Sequence, residues 1–396
     1  MNMNKAVVLG CNYYIGLSMI RCLGKEGVNV VACDYDFETA YGAKSKYISE
    51  FLHVEGLSKI DQHALDQLVA YGKQQTEKPV LLPSHDKYVE FIDTFYDELS
   101  QYYLISQAEN GLNSIVMDKV QLHKLATKHG VRVPTTITID DPDLYQKVEE
   151  IGFPCIIKPS DTVAFTKIFR RKVIFCDTLE DVIVGIERCK QEKVDVFIQQ
   201  VIPGFDDHML TYDYYVNRQG KTTHYMTAQK QRQWPINFGA SVFTQQKYNK
   251  ELVDVSKPFL EAIGYRGFGE IEYKKHEKTG DLYLIEINAR TTNFNNLIYK
   301  LGINMPYIAY LELTGQQDKI EEKFITWDTN RAFVYGFEDM MAIRGYHKTK
   351  QVNAFQSIGK LFTKRLAPAI WELDDLGPWF FYNGQLLKKV VKKIKH

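Results

Sequence analysis

Within the first 34 residues a short apolar run, Lys5–Leu9, is followed by Gly10 and by a stretch with apolar residues at Ile15, Leu17, Ile20 and Leu23. Gly27 closes that stretch, and a second apolar run, Val28–Cys33, precedes Asp34. Two strands joined through a helix lie side by side in the same direction, so this pattern commits the chain to a parallel sheet. The turn Gly10-Cys11-Asn12-Tyr13-Tyr14-Ile15-Gly16 lacks G-x-G-x-x-G spacing and does not by itself mark a dinucleotide site. A helix over 61–74, a strand over 79–83, a helix over 86–98 and a strand over 102–105 continue the alternation, which places one α/β domain at 1–110.

The remainder reads differently. Asp118–His129 is a helix, Gly130–Pro134 a turn, and Phe153–Lys158 a buried strand; a strand (172–176), a helix (178–190) and a strand (195–200) complete an α+β module. Strands then follow over 208–217, 222–231, 240–246, 266–274 and 281–288, with a helix over 249–263. The turns Asn217-Arg218-Gln219-Gly220 and Lys278-Thr279-Gly280-Asp281 make antiparallel pairing the natural reading. A length of 396 residues suits two or three domains. The boundaries are drawn at 1–110, 111–200, 201–330 and 331–396.

Composition removes several classes. Forty-nine Lys plus Arg against 49 Asp plus Glu argue against a general nucleic-acid binder. No apolar run reaches the ~20 residues of a spanning helix, and the N-terminus reads as a strand, not a signal peptide. Six cysteines (Cys11, Cys22, Cys33, Cys155, Cys176, Cys189) are scattered singly, which fits buried free thiols in a reducing cytosol better than disulfides or zinc. Charge is uneven: residues 344–396 hold eleven Lys/Arg against Glu372, Asp374 and Asp375.

The chemistry concentrates in Leu282-Tyr283-Leu284-Ile285-Glu286-Ile287-Asn288-Ala289-Arg290. On a strand Glu286, Asn288 and Arg290 share one face, while Ile285 and Ile287 share the other. The preceding strand, Gly269–Tyr273, pairs with it and sets Glu272 beside Glu286. Two carboxylates, an amide oxygen and a guanidinium suit Mg²⁺ carrying phosphates. A solvated face of alternating charge accounts for Glu270 and Lys274, but not for the four polar residues set among apolar neighbours. Lys158, at the end of Cys155-Ile156-Ile157, is placed to reach a phosphate. Asp118-Lys119 stands at a helix N-terminus, where anions are favoured. Either lysine alone would be unremarkable. Val196–Gly204 is an apolar strand entering an extended connector. Its backbone can pair with an adenine edge, and Asp206 or Asp207 can hold ribose hydroxyls; by itself it reads equally as a hinge.

In this order and spacing the four elements resemble the ATP-grasp superfamily. Asp118-Lys119 with Gly130 and Pro134 resembles its first ATP lysine and the following turn, and Ile156-Ile157-Lys158-Pro159 its second. Gln199–Gly204 resembles its adenine hinge, and Glu272 with Glu286-x-Asn288-x-Arg290 its magnesium strand pair. The resemblance covers residues 1–315. It implies α/β and α+β architecture: an ATP-grasp fold behind an N-terminal Rossmann-like (pre-ATP-grasp) domain. Residues 111–200 would form the small lobe, 201–330 the metal- and phosphate-binding sheet, and 331–396 an appendage. Three further features, Val80–Asp86, Gln229–Pro235 and Phe268–Glu272, are most similar to the carboxylate–amine ligase branch that includes bacterial D-aspartate ligases. Two departures stand out. The segment after Lys158, Ser160–Lys167, is a loop without the usual glycines, and Gln199-Gln200 replace common acidic or lysine residues. A glutamine can still offer its carbonyl to an adenine amine.

The resemblance implies ATP with one or two Mg²⁺ ions and a two-step ligation, in which a carboxylate takes the γ-phosphate and an amine then displaces phosphate. Lys119, Lys158, Gln199, Gln200, Ile202 and Asp206 would bind ATP; Glu272, Glu286 and Asn288 would hold metal; Arg290 and Lys158 would act in catalysis. Arg232 with Lys230 is the candidate grip on an acidic substrate, with a solvated strand residue the equal alternative. A D-aspartate-like substrate and a peptidoglycan-precursor amine are the leading expectation, and another amino-acid or envelope-polymer ligase is the rival. A nucleotide-binding regulator without turnover and a kinase that leaves phosphate on its acceptor remain open. His85 and His224 are read as structural, with a place near the amine as the alternative. Finally, Leu386, Leu387, Val390, Val391 and Ile394 form one helical stripe opposite five lysines, which fits either an anionic membrane surface or a docked terminal helix. Oligomeric state is not legible.

Overall fold

The computed structural model describes residues 4–106, 111–160, 162–237, 239–351 and 353–394. Contacts divide the chain into a larger unit, Met1–Ser114, Thr211–Glu270 and Asn288–His396, and a smaller one, Ile115–Leu210 and Ile271–Ile287.

In the larger unit β1 (Ala6–Leu9), β2 (Val30–Asp34), β3 (Ile48–His53), β4 (Val80–Pro83) and β5 (Leu104–Ile105) form a parallel sheet in the order β3-β2-β1-β4-β5. The first, second and fourth strands are buried along their whole length, as expected of a sheet covered on both faces. The order reverses between β1 and β4, so the turns after these two strands flank the crevice where such sheets bind ligands. The first turn depends on glycine. Gly10 has φ +84°, and a Cβ there would strike the Tyr88 ring; a Cβ on Gly16 would strike the Gly10 carbonyl. Asp34 accepts hydrogen bonds from the backbone N–H groups of Cys11 (2.7 Å) and Asn12 (2.9 Å). The carboxylate that ends β2 therefore braces this turn. The helix expected over 86–98 is two helices, Asp86–Thr94 and Tyr96–Leu99, because Phe95 leaves helical geometry at φ −111°, ψ 29°.

The smaller unit contains an antiparallel sheet of β6 (Thr136–Thr138), β7 (Cys155–Pro159), β8 (Ile174–Cys176) and β9 (Val196–Gln200) in the order β6-β9-β7-β8. Cys155, Ile157, Val182, Ile186 and Ile198 are among its core residues. The helix Leu179–Gln191 starts with a capping box between Thr178 and Asp181. Residues 162–169, expected as a loop, form a helix. Without glycine, and with Phe165 and Phe169 one turn apart, the segment has nothing to resist helix formation; the two rings pack at 4.4 Å.

An eight-stranded sheet completes the chain: β10 (Met209–Val216), β11 (Thr222–Trp234), β12 (Ala240–Gln246), β13 (Gly267–Lys275), β14 (Leu282–Asn288), β15 (Lys323–Phe324), β16 (Arg331–Val334) and β17 (Arg365–Pro368). Its order is β14-β13-β10-β11-β12-β16-β17, with β15 beside β11. The β11–β12 and β12–β16 pairs are antiparallel. The six cysteines are free and buried. Among the described residues no helix is long and apolar enough to cross a membrane.

Candidate active site

Lys119 opens the helix Lys119–Lys128, whose N-cap is Asp118; the Asp118 carboxylate accepts from Gln121 N–H at 2.8 Å. The cap fixes the first turn, and the Lys119 ammonium lies 3.9 Å from Glu286. Lys158 stands on β7, and its ammonium donates to Gln199 Oε1 at 3.2 Å. Burial and the neighbouring Lys119 push the Lys158 pKa down to about 8, while Glu286 and Glu272 oppose that shift. Two ammonium groups and two carboxylates therefore share one small region of the smaller unit.

Gln199 does not turn its side chain outward. Its Oε1 accepts from Lys158 and its Nε2 donates to Thr136 Oγ1 at 3.2 Å, with the residue 3% exposed. Gln199 and Lys158 are diagonal neighbours on the paired strands β9 and β7, and the amide lies against the lysine. Gln200 accepts from Thr135 N–H at 3.3 Å, and Ile202 is buried. Behind Gln199, His123 bonds Thr136 Oγ1 at 3.0 Å and the Ile285 carbonyl at 3.3 Å. Burial holds His123 neutral, with its pKa down to about 4. No motif in the sequence points to this histidine.

Asp206 is buried in a short 3₁₀ turn, Asp206–His208. Lys274 donates to the Phe205 carbonyl at 2.6 Å, and burial lowers its pKa to about 8 against the pull of Asp206, Asp207 and Glu277. Lys274 is thus no solvated strand residue. Neither is Glu270. In the larger unit its Oε2 accepts from Asn288 Nδ2 at 2.9 Å and its Oε1 from Thr292 Oγ1 at 3.0 Å, with 3% exposure. The signal was present: Glu270, Glu272 and Lys274 alternate on β13, so all three belong to the face that carries Glu272.

Arg290 is fixed from three sides. It donates from Nε and Nη2 to the two oxygens of Asp86 at 2.7 and 3.2 Å, from Nη2 to Asn288 Oδ1 at 3.0 Å, and from Nη1 to the Thr291 carbonyl at 3.1 Å. Asp86 begins the helix after β4, beside the crevice of the parallel sheet. His85 caps that helix by accepting from Lys87 N–H. His224, on β11, bonds the Glu321 carbonyl at 2.8 Å and is buried away from any such cluster.

The expected substrate grip is not free to act as one. Arg232 forms a bidentate pair with Asp339 at 2.6 and 2.8 Å, lies over the Phe243 ring at 4.1 Å, and its side chain is 3% exposed. A guanidinium so enclosed is no solvated strand residue and holds the core together; Lys230 is buried as well.

The donor set fits magnesium. Glu272 and Glu286 supply carboxylates, and Asn288 is the next residue on the Glu286 face of β14. Among the described residues no group of three or more His, Cys, Asp or Glu makes a ready-made cage. A sparse, oxygen-only set suits Mg²⁺, whose shell phosphates and water complete.

The sheets have the arrangement of the ATP-grasp fold. Solved structures agree on the fold. The biotin carboxylase domain of 2-oxoglutarate carboxylase from Hydrogenobacter thermophilus, in complex with MgADP, matches with a TM-score of 0.65 and 17% identity, over 81% of this chain and 72% of that one. N5-carboxyaminoimidazole synthetase from Staphylococcus aureus matches with a TM-score of 0.62 and 16% identity, over 82% and 81%. In sequence, the chain is 24% identical to a D-aspartate ligase of Enterococcus faecium (strain Aus0004) over 332 residues, 74% of this chain and 79% of the relative. It is 25% identical to a D-alanine–D-alanine ligase of Chromohalobacter salexigens over 190 residues, 45% of this chain and 56% of the relative. No family model matches.

Proposed function

We propose that this chain is an ATP-dependent carboxylate–amine ligase that activates an acidic amino acid of the D-aspartate kind and joins it to an amine on a cell-envelope precursor. The observation that carries the reading is the meeting of Lys119 and Lys158 with Glu286 and Glu272 in the smaller unit. Such a cluster, neutral as it stands, can take anions and a metal together: the ammonium groups neutralise phosphoryl oxygens and the carboxylates take the cation. The likeness to two ligases supports the reaction class.

Catalysis here rests on placement and charge, since phosphoryl transfer asks little covalent chemistry of the protein. Lys119 and Lys158 bind the phosphates, with Gln199 holding Lys158 in line. Gln200, Ile202 and Asp206 line the nucleotide segment. Glu272, Glu286 and Asn288 would hold Mg²⁺, which offsets charge on the transferring phosphoryl group when bound. Arg290, pinned by Asp86, faces the negative charge that develops as the amine attacks the acyl-phosphate. Buried free thiols fit work in a reducing cytosol.

Mg²⁺-ATP supplied with pairs drawn from acids, D-aspartate included, and amines tests the reading. ADP and phosphate release that needs both partners, with an amide in the product by mass spectrometry, is expected. A phosphorylated product would make the protein a kinase, and tight ATP binding with no turnover on any pair would make it a regulator.

A further inference from the structure

The helix Ala354–Thr363 is packed on one side and bare on the other. Ser357 is buried, and Leu361 packs beside the Phe243, Ala332 and Val334 cluster, so the inner face is anchored. The Asn353 side chain caps the start by accepting from Phe355 and Gln356 N–H. On the outer face Phe355 is 87% exposed, Phe362 85% and Ile358 44%. Their spacing, i, i+3 and i+7, sets them along one stripe. Two phenylalanines this bare on a well-capped helix cost solubility unless something covers them.

The surrounding charge says what. From Met340 to Trp371 the sequence contains Arg344, Lys348, Lys350, Lys360, Lys364 and Arg365 and no acidic residue. Arg344, Lys348, Lys350, Lys360 and Arg365 are exposed. A second copy of the chain docking through the same face would set these cations against their own kind, and isologous contact makes that unavoidable. An anionic lipid surface meets both requirements at once, because headgroups neutralise the basic residues while the acyl boundary takes the apolar stripe. We propose that the helix Ala354–Thr363 lies in the surface of an anionic bilayer, with Phe355, Ile358 and Phe362 inserted and the flanking lysines and arginines on the headgroups. The C-terminal lysine stripe is a different segment of the chain, and its side chains beyond Lys388 fall outside the described residues.

Flotation of the full-length protein with phosphatidylglycerol-containing vesicles, and with phosphatidylcholine vesicles as the neutral control, tests this. The expected result is flotation with the anionic vesicles alone, weakened by salt. Phe355→Ser/Phe362→Ser, a pair of exposed sites, lowers the vesicle partition coefficient by about tenfold or more with an unchanged melting temperature. Phe355→Trp should show a blue-shifted emission on anionic vesicles. Failure of the wild-type protein to float, or flotation of the double variant equal to wild type, overturns the proposal. So does a dimer in sedimentation velocity that the double variant dissolves, since the occupant would then be a second copy.

Discussion

Both oxygens of Asp86 engage Arg290, at 2.7 and 3.2 Å, across 204 residues of sequence. The pair ties the turn after β4 to the segment after β14, so the guanidinium is held in one orientation. Such preorganisation lowers the cost of stabilising charge that appears only in the transition state.

Asp86→Asn keeps the shape and removes the charge that holds Arg290. Turnover should fall by about 10- to 100-fold while the melting temperature barely moves, because the Asp86 carboxylate is 46% exposed and contributes little to stability. Steady-state kinetics beside a thermal melt checks this. Full turnover in the variant would remove Asp86 from the machinery.

Lys158, with a pKa near 8, loses its charge as pH rises through that value. Only the protonated form neutralises phosphate, so ATP affinity of the free protein should be full below pH 8 and fall above it. Lys158→Arg abolishes that fall, as a guanidinium stays charged. Lys158→Ala and Glu286→Gln should each remove turnover and leave the fold intact by circular dichroism. Titration calorimetry across pH reads the first effect, and a pH-independent wild type would contradict it.

Arg232 and Asp339 give a test of structure against substrate. Arg232→Ala leaves a buried carboxylate without its partner and should cost about 3–5 kcal/mol. The double change Arg232→Met/Asp339→Leu restores an apolar match and should recover most of the loss. If instead the double variant is stable but its KM for the acidic substrate rises steeply, Arg232 contacts substrate after all.

His123 and His224 are buried neutral, each with a pKa lowered to about 4, chiefly by burial. The unfolded chain protonates them near pH 6.5 and the folded chain does not. Stability is therefore complete above pH 6.5 and is lost as pH falls toward 4, by about 3 kcal/mol for each histidine. Melting temperatures of wild type and His224→Gln between pH 7 and 4.5 decide it: the variant should show the shallower decline.

The sequence alone determined what period and order can encode. Apolar runs broken by Gly10 and Gly27 require the parallel sheet, and strict alternation puts Glu286, Asn288 and Arg290 on one face, because side-chain direction on a strand repeats every two residues. The order of Lys119, Lys158 and the acidic strand pair was enough for the ATP-grasp fold. Tertiary structure decided the partnerships. Asp86 with Arg290, Gln199 with Lys158 and Arg232 with Asp339 join residues 41 to 204 positions apart, and no local pattern carries such distances. Whether a charged residue serves a substrate or the core depends on what faces it across the fold, which is why Arg232 read equally as a binding group and a solvated strand residue and stands as a buried pair. For the same reason the exposure of Phe355 and Phe362 appears only once the other side of their helix is packed.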